Sequence, residues 1–327
     1  MLNSNKARQT SLRKIVDFLK KKNQFLLTAH LNADGDAIAS VIAMSLFLEK
    51  LDKKYYMVFN DSQVDSRFAY LKNFDKIISY NRTLHLPIEA AVVLDVPGLQ
   101  RLGKVMKLLP DKSQIIKIDH HPAEDDFAAL NFAYVTASSA TQLVYEVIEA
   151  AGVEVDLPVA EAIYTGIVYD TGRFSFSNTT AIDLLICGKM VEAGVDPAKI
   201  TGRIFFENSF ESIRTIGRGL ASMENYLDGA VNVIYLDHST MNQNHQGEIE
   251  ELANYSVGIR GGKVGVFIRE LRPRFHKVSL RAKEEVDVNR IARAFDGGGH
   301  IRAAGCRIEG TKQEVIKKVL AEIKKQL

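Results

Sequence analysis

The sequence predicts an α/β protein: a larger N-terminal domain with a mainly parallel sheet flanked by helices, then a smaller C-terminal α/β domain. Three observations carry this reading. Short apolar runs alternate with helical patterns from residue 25 to residue 193, as parallel strands and crossover helices do. After Asp228-Gly229 the rhythm changes, and strand-like runs follow one another more directly. The length of 327 residues also exceeds what one hydrophobic core usually organises.

A basic amphipathic helix opens the chain, with Leu12, Ile15, Val16 and Leu19 on its apolar stripe. The runs 25–29, 53–59, 90–95 and 113–119 read as strands, and helices are expected over 37–51, 138–151, 158–169, 179–193 and 208–222. In the second domain, strands are expected at 231–236, 263–271, 275–282 and 302–308, a helix over 287–295, and a closing helix from Lys312. The boundaries follow as 1–222 for the first domain, 223–229 for a linker and 230–327 for the second domain.

Composition narrows the function. Hydrophobic residues make up 46% and charged residues 25%, a globular balance rather than a disordered one. A formal charge of +2 gives no global field for binding long duplexes, while leaving room for a local basic pocket. Cys187 and Cys306 are the only two cysteines, far apart, which argues against a disulfide scaffold or a thiolate zinc site and suits a reducing cytoplasm. No apolar run has the length of a membrane span, and the basic N-terminus lacks the apolar stretch of a signal peptide. A cytoplasmic protein without a membrane partner is therefore expected.

The chemistry concentrates where strands end. His30-Leu31-Asn32-Ala33-Asp34-Gly35-Asp36 follows a strand and opens a helix, at the edge where open α/β sheets bind ligands. Asp34 and Asp36 in one pocket would repel each other without a cation, and imidazole plus carboxylate suits manganese, iron, zinc or cobalt. The plainer alternative is an Asx turn with an aspartate N-cap. Asp95 ends the apolar run AAVVL, and Asp119-His120-His121 closes QIIKI in a chain with only eight histidines. Adjacent side chains point in different directions, so these three are expected to divide into ligand, support and substrate-facing roles. Asp170 lies at the end of a helical pattern in YTGIVYDTGRF. Near the C-terminus, Gly297-Gly298-Gly299-His300 offers backbone N–H groups and a ring donor, with Arg281 on a nearby predicted strand. Histidines and at least four aspartates without cysteine suit a binuclear centre. Two cations about 3.5–4 Å apart serve phosphoryl displacement by clamping both oxygens.

With these motifs in order, the sequence resembles the DHH phosphoesterase superfamily, named for the triplet at 119–121. HLNADGDA, VVLD, DHH and YTGIVYDTGRF match its four motifs, and FDGGGH resembles the signature of the associated DHHA1 substrate domain. The layout most resembles the branch of oligoribonucleases and pAp phosphatases of the nanoRNase A type. Residue by residue, the resemblance implies that His30, Asp34 and Asp95 hold one divalent ion and that Asp36, Asp95, His120 and Asp170 hold a second, with Asp95 bridging and manganese as the usual metal. It implies a supporting role for Asp119 and a place for His121 facing the scissile phosphate. Arg281, Gly297, Gly298, Gly299 and His300 would bind the substrate's terminal phosphate. The family often has proline where this chain has Ala33. The implied activity is hydrolysis of short single-stranded RNA to nucleoside monophosphates and of 3′-phosphoadenosine 5′-phosphate (pAp) to AMP. The alternatives are cyclic di-AMP or pApA hydrolysis and a non-catalytic nucleotide-binding module. The resemblance also allows a homodimer through the first domain, which the sequence itself does not display.

Overall fold

A computed structural model of the chain describes residues 2–240, 248–283 and 286–327. The fold divides into two compact units, one running through Phe206 and the other starting at Glu207.

The first unit is built on six strands: β1 (Gln24–Thr28), β2 (Lys54–Phe59), β3 (Ile78–Ser79), β4 (Ala90–Leu94), β5 (Ile115–Asp119) and β6 (Leu130–Ala133). Every pairing is parallel, and the order across the sheet is β3-β2-β1-β4-β5-β6. Its helices are α1 (Leu2–Lys21), α2 (Gly35–Lys50), α3 (Ala140–Ala150), α4 (Leu157–Asp170), α5 (Ala181–Glu192) and α6 (Pro197–Thr201). The central strands read as continuous apolar runs because the sheet is covered on both faces. Leu27, Val92, Leu94, Ile116 and Ile118 join α1 to α4 in one core, while Leu26, Ala91, Val93 and Ile115 face a second cluster with Leu102 and Val105. The strands β3 and β6 are absent from the sequence reading. The first has two residues and the second has one buried side chain in four, too little for a period to register.

Strand order decides where the site lies. The chain moves outward from β1 to β2 and β3, then returns to the other side of β1 to lay down β4, β5 and β6. Such a reversal opens a crevice at the carboxyl ends of the two strands flanking it. Here those strands are β1, which delivers His30, and β4, which delivers Asp95.

The second unit begins with α7 (Phe210–Ala221) and β7 (Glu224–Tyr226), followed by β8 (Val231–Leu236), α8 (Glu251–Val257), β9 (Val264–Arg272) and β10 (Phe275–Ala282). It ends with α9 (Val288–Arg293), β11 (Gly298–Gly299), β12 (Ala303–Glu309) and α10 (Lys312–Ile323). Its sheet runs β11-β12-β10-β9-β8-β7, with β8 and β9 parallel and the other pairs antiparallel. Helix α7, assigned above to the first domain, packs in this unit: Ile216 lies on the cluster of Ile234, Leu252 and Phe267. Its Gly219 approaches Leu252 so closely that an added Cβ would stand 2.6 Å from Cδ1. The observed division thus falls before α7 rather than after it, because tertiary packing and not helix length assigns the element.

Candidate metal centre and active site

Three adjacent strands bring the motifs together. With β4 between β1 and β5, Asp95 lies within reach of both neighbours. One carboxylate oxygen, Oδ2, stands 3.3 Å from His30 Nε2, and the other, Oδ1, stands 3.3 Å from His120 Nε2 and 3.2 Å from His121 Nδ1. The Asp95 backbone is left-handed at φ 57, a conformation aspartate tolerates better than most residues. Its amide donates to Ile118 O at 2.9 Å, tying the turn to β5.

His30 Nδ1 lies 2.9 Å from Leu31 O. A carbonyl oxygen can only accept, so Nδ1 carries the proton and the lone pair of a neutral ring falls on Nε2, the nitrogen facing Asp95. Asp34 caps α2 through Oδ1, which accepts from the amides of Asp36 and Ala37 at 3.1 Å each, and that oxygen is also 3.9 Å from His30 Nε2. The capping alternative and the cluster are thus both true of one side chain.

Asp36 is fully buried. Its carboxylate accepts from Ala140 N at 2.6 Å, from Thr141 N at 3.0 Å and from the Thr141 hydroxyl. This places it at the N-terminus of α3, where backbone donors and the helix dipole favour an anion. His120 Nε2 faces three carboxylates: Asp95, Asp36 Oδ2 at 3.8 Å and Asp170 Oδ2 at 3.7 Å. Potential ligand atoms of His30, Asp34 and Asp95 lie within 4.8 Å of one another, as do those of Asp36, Asp95 and His120. Asp170, the last residue of α4, joins through His120.

Charge in this pocket is held by protons. Burial alone would lower the His30 ring, but its hydrogen bond to Asp95 and the charge of Asp34 raise it to about 10. Burial likewise opposes His120, which Asp170 and Asp95 lift to about 9, and His121, which Asp119 and Asp95 lift to about 10. Burial and the Asp95 charge push Asp36 up to about 8, and burial raises Asp170 to about 6. Burial would also raise Asp95, yet three imidazoles hold it well below the usual carboxylate range.

A divalent ion fits these residues. Among the described residues Asp95 Oδ1 is buried with no well-aligned hydrogen bond, its charge balanced only by the two imidazoles at 3.2 and 3.3 Å, a role that a cation can take over when those rings give up their protons. The donor set of imidazole and carboxylate, on both sides of Asp95, is the chemistry such an ion takes.

His121 also faces Asp95, in a third cluster of potential ligand atoms with Asp119. Its backbone N and its Nδ1 both point at Asp119 Oδ1, at 3.2 Å and 2.9 Å. Asp119 is fully buried, and behind it lies Lys117, whose Nζ is 3.6 Å from Asp119 Oδ2 and donates to Pro97 O at 2.9 Å. Sequence reasoning missed Lys117. Its one signal was a lysine inside an apolar strand, and such residues are almost never buried unless paired. Asn178 was missed as well: its Nδ2 donates to Asp170 O and Ser138 O, both at 3.0 Å.

In the second unit, Lys277, Ser279 and Arg281 alternate along β10 and share a face. Arg281 Nε donates to Asn254 Oδ1 at 2.9 Å. Glu250 Oε1 meets Lys277 Nζ at 2.7 Å and an Arg269 guanidinium nitrogen at 2.9 Å, and Ser279 Oγ donates to its Oε2 at 3.1 Å. Burial would raise Glu250, but Lys277 and Arg269 hold its carboxyl down to about 2. Lys277, Arg269 and Glu250 were all missed, since the register of β9 and β10 sets the first two opposite each other and only the packing of the turn before α8 brings Glu250 to them.

The glycine run behaves differently from the open cradle expected. Gly298 and Gly299 form β11 against Gly305 and Ala304. The amides of Gly297 and His300 are spent on Ala292 O at 2.9 Å and Ala303 O at 2.7 Å. The glycines allow close approach, since a Cβ on Gly297 would stand 2.3 Å from Gly305 O.

The fold and this centre define a DHH-type phosphoesterase architecture, and the chain belongs to that family: residues 24–167 match the DHH family N-terminal domain and residues 230–327 match the DHHA1 domain. It is 28% identical over 320 residues to the bifunctional oligoribonuclease and PAP phosphatase NrnA of Thermus thermophilus, covering 97% of this chain and 94% of that protein. The protein of the same name from Bacillus subtilis is 27% identical over 290 residues, covering 86% and 88%. Among solved structures, an exopolyphosphatase-related protein from Bacteroides fragilis superposes with a TM-score of 0.85 at 24% identity, over 97% of this chain and 96% of that one, a likeness of fold. Among the described residues no helix is long and apolar enough to cross a membrane.

Proposed function

We propose that the protein is a manganese-dependent phosphoesterase that hydrolyses short oligoribonucleotides to nucleoside monophosphates and pAp to AMP. The observation carrying this reading is the buried Asp95 carboxylate between His30 on one side and His120 on the other, the residue common to both clusters of potential ligand atoms. In this reading His30, Asp34 and Asp95 hold one cation, and Asp36, Asp95, His120 and Asp170 hold the other. When bound, the pair supplies Lewis-acid polarisation of the phosphoryl oxygens and a lowered pKa for the attacking water. Asp119 fixes His121 through Nδ1, so Nε2 is the nitrogen that delivers a proton to the leaving oxygen. In the second unit, Arg281 and His300 bind a terminal phosphate, and Gly297, Gly298 and Gly299 permit close backbone approach. The names of the full-length relatives support the substrate class. Two buried thiols, Cys187 and Cys306, accord with a cytoplasmic setting.

The test is incubation of the purified protein with MnCl2 and, separately, pApA, pAp and cyclic di-AMP. AMP from pApA and pAp is expected, with loss of product in Asp95→Ala. No product from any of them with any divalent ion, or an Asp95→Ala variant as active as wild type, overturns the proposal.

A further inference from the structure

The loop carrying His30 and Asp34 is gripped by a residue that the proposed chemistry does not use. Asp61, two residues past β2, accepts from Asn32 N through Oδ1 and from Ala33 N through Oδ2, both at 3.0 Å. Both carboxylate oxygens are thereby engaged by successive amides lying between the two ligand residues. Asn32 is in the left-handed region at φ 55, which asparagine tolerates better than most residues. A further tie, Leu31 N to Arg101 O at 2.7 Å, holds the preceding peptide. With Asp34 anchored as the cap of α2, the Asn32–Ala33 stretch between the two ends is held by Asp61.

Ala33 makes this grip two-pointed. A proline at this position would have no N–H and could offer only the Asn32 donor. In this chain the alanine supplies the second bond, so the carboxylate resists rotation of the intervening peptide as well as displacement. That peptide sets how Asp34 Oδ1 stands to His30 Nε2, now 3.9 Å apart.

We propose that Asp61 is a positioning residue for the cation held by His30 and Asp34, acting through the Asn32 and Ala33 amides and touching neither cation nor substrate. The proposal rests on the two-cation reading above. A bond to the backbone between two ligands sets their geometry before the ion arrives, which is how outer partners tune metal affinity.

The experiment is calorimetric titration of MnCl2 into the metal-stripped full-length protein. Wild type is expected to take up two ions. His30→Ala and Asp170→Ala identify which binding step belongs to which side. Asp61→Ala is expected to weaken the His30 step by about 10–100-fold while keeping the Asp170 step. Asp61→Asn, which retains one acceptor oxygen, is expected to weaken the same step less, and it decides alone if the alanine variant does not fold. Unchanged affinities, or equal weakening of both steps, overturn the role of Asp61. A wild-type protein that takes up no ion overturns the two-cation reading instead.

Discussion

Without cations the centre stores protons, and loading it must expel them. At pH 7 the rings of His30 and His120, raised to about 10 and 9, are protonated, and so is Asp36, raised to about 8. All three belong to the proposed ligand set, and a ligand atom cannot keep both its proton and its ion. Asp170, at about 6, is mostly ionised already, and Asp95 carries no proton. His121 lies outside the set and keeps its proton on Asp119. Filling both sides at pH 7 therefore releases about three protons, and the combined affinity rises by about three decades per pH unit near neutrality. The slope flattens as pH passes first the Asp36 value and then those of the rings. The assay is calorimetry in buffers of different ionisation enthalpy, which reports proton release directly. Release of fewer than about one proton would refute the reasoning, because the ligands would then be unprotonated or elsewhere. Stability has the matching sign. A histidine raised in the fold stabilises the cation-free protein fully below its ordinary range and loses that contribution as pH climbs through the folded value. The melting temperature of stripped protein should fall between pH 7 and 10, with a flatter profile once manganese is bound.

Other perturbations probe neighbouring links. Asp95→Asn should remove both binding steps and lower pApA turnover by at least about a thousandfold, since it strips several kcal/mol of charge stabilisation from both sides at once; a variant within tenfold of wild type would exclude a shared ligand. Lys117→Met removes one of the two cations facing the buried Asp119 carboxylate, His121 remaining, and should cost about 1–3 kcal/mol in urea unfolding, most of it regained in Lys117→Met/Asp119→Asn. A single variant as stable as wild type would refute the pairing. Gly166→Ala puts a Cβ 2.0 Å from Thr141 Oγ1 and 2.8 Å from Asp36 Oδ1; a loss of about 1–3 kcal/mol with weakened manganese binding is expected, and an unaltered titration would contradict it. Glu250 gains stability from its cations above the ordinary glutamate range and loses it as pH falls towards 2. Unfolding of Glu250→Gln should accordingly vary less between pH 5 and 2 than that of wild type, followed by circular dichroism.

The candidate ligands were legible because they sit where strands and helices begin or end, three of them at the one junction between β1 and α2. A polar residue closing an apolar run marks the carboxyl edge of a sheet, and that inference needs only neighbours in sequence. Asp95 after AAVVL and His120 after QIIKID are such cases, at the carboxyl ends of the adjacent strands β4 and β5. Supporting residues carried no comparable mark. Asp61 looks like any loop aspartate until the Asn32 and Ala33 amides are set against it. Thr141 meets Asp36 across 105 residues of chain, and no local pattern announces that contact. Helix α7 was recognised as a helix but assigned to the wrong neighbour, since amphipathicity shows that a face is buried without showing against what.

By itself, then, the sequence determined the alternation of strands and helices, the family motifs and the side chains competent to bind cations. These are properties of short stretches, set by periodicity, capping and residue chemistry. Tertiary structure decided that β4 lies between β1 and β5, and hence that Asp95 stands between His30 and His120. It also decided which buried groups balance one another, as Lys117 does Asp119 and Glu250 does Lys277 with Arg269. The reason is physical: strand order and charge compensation are fixed by contacts between distant segments, whose energies depend on burial and separation that no window of sequence contains.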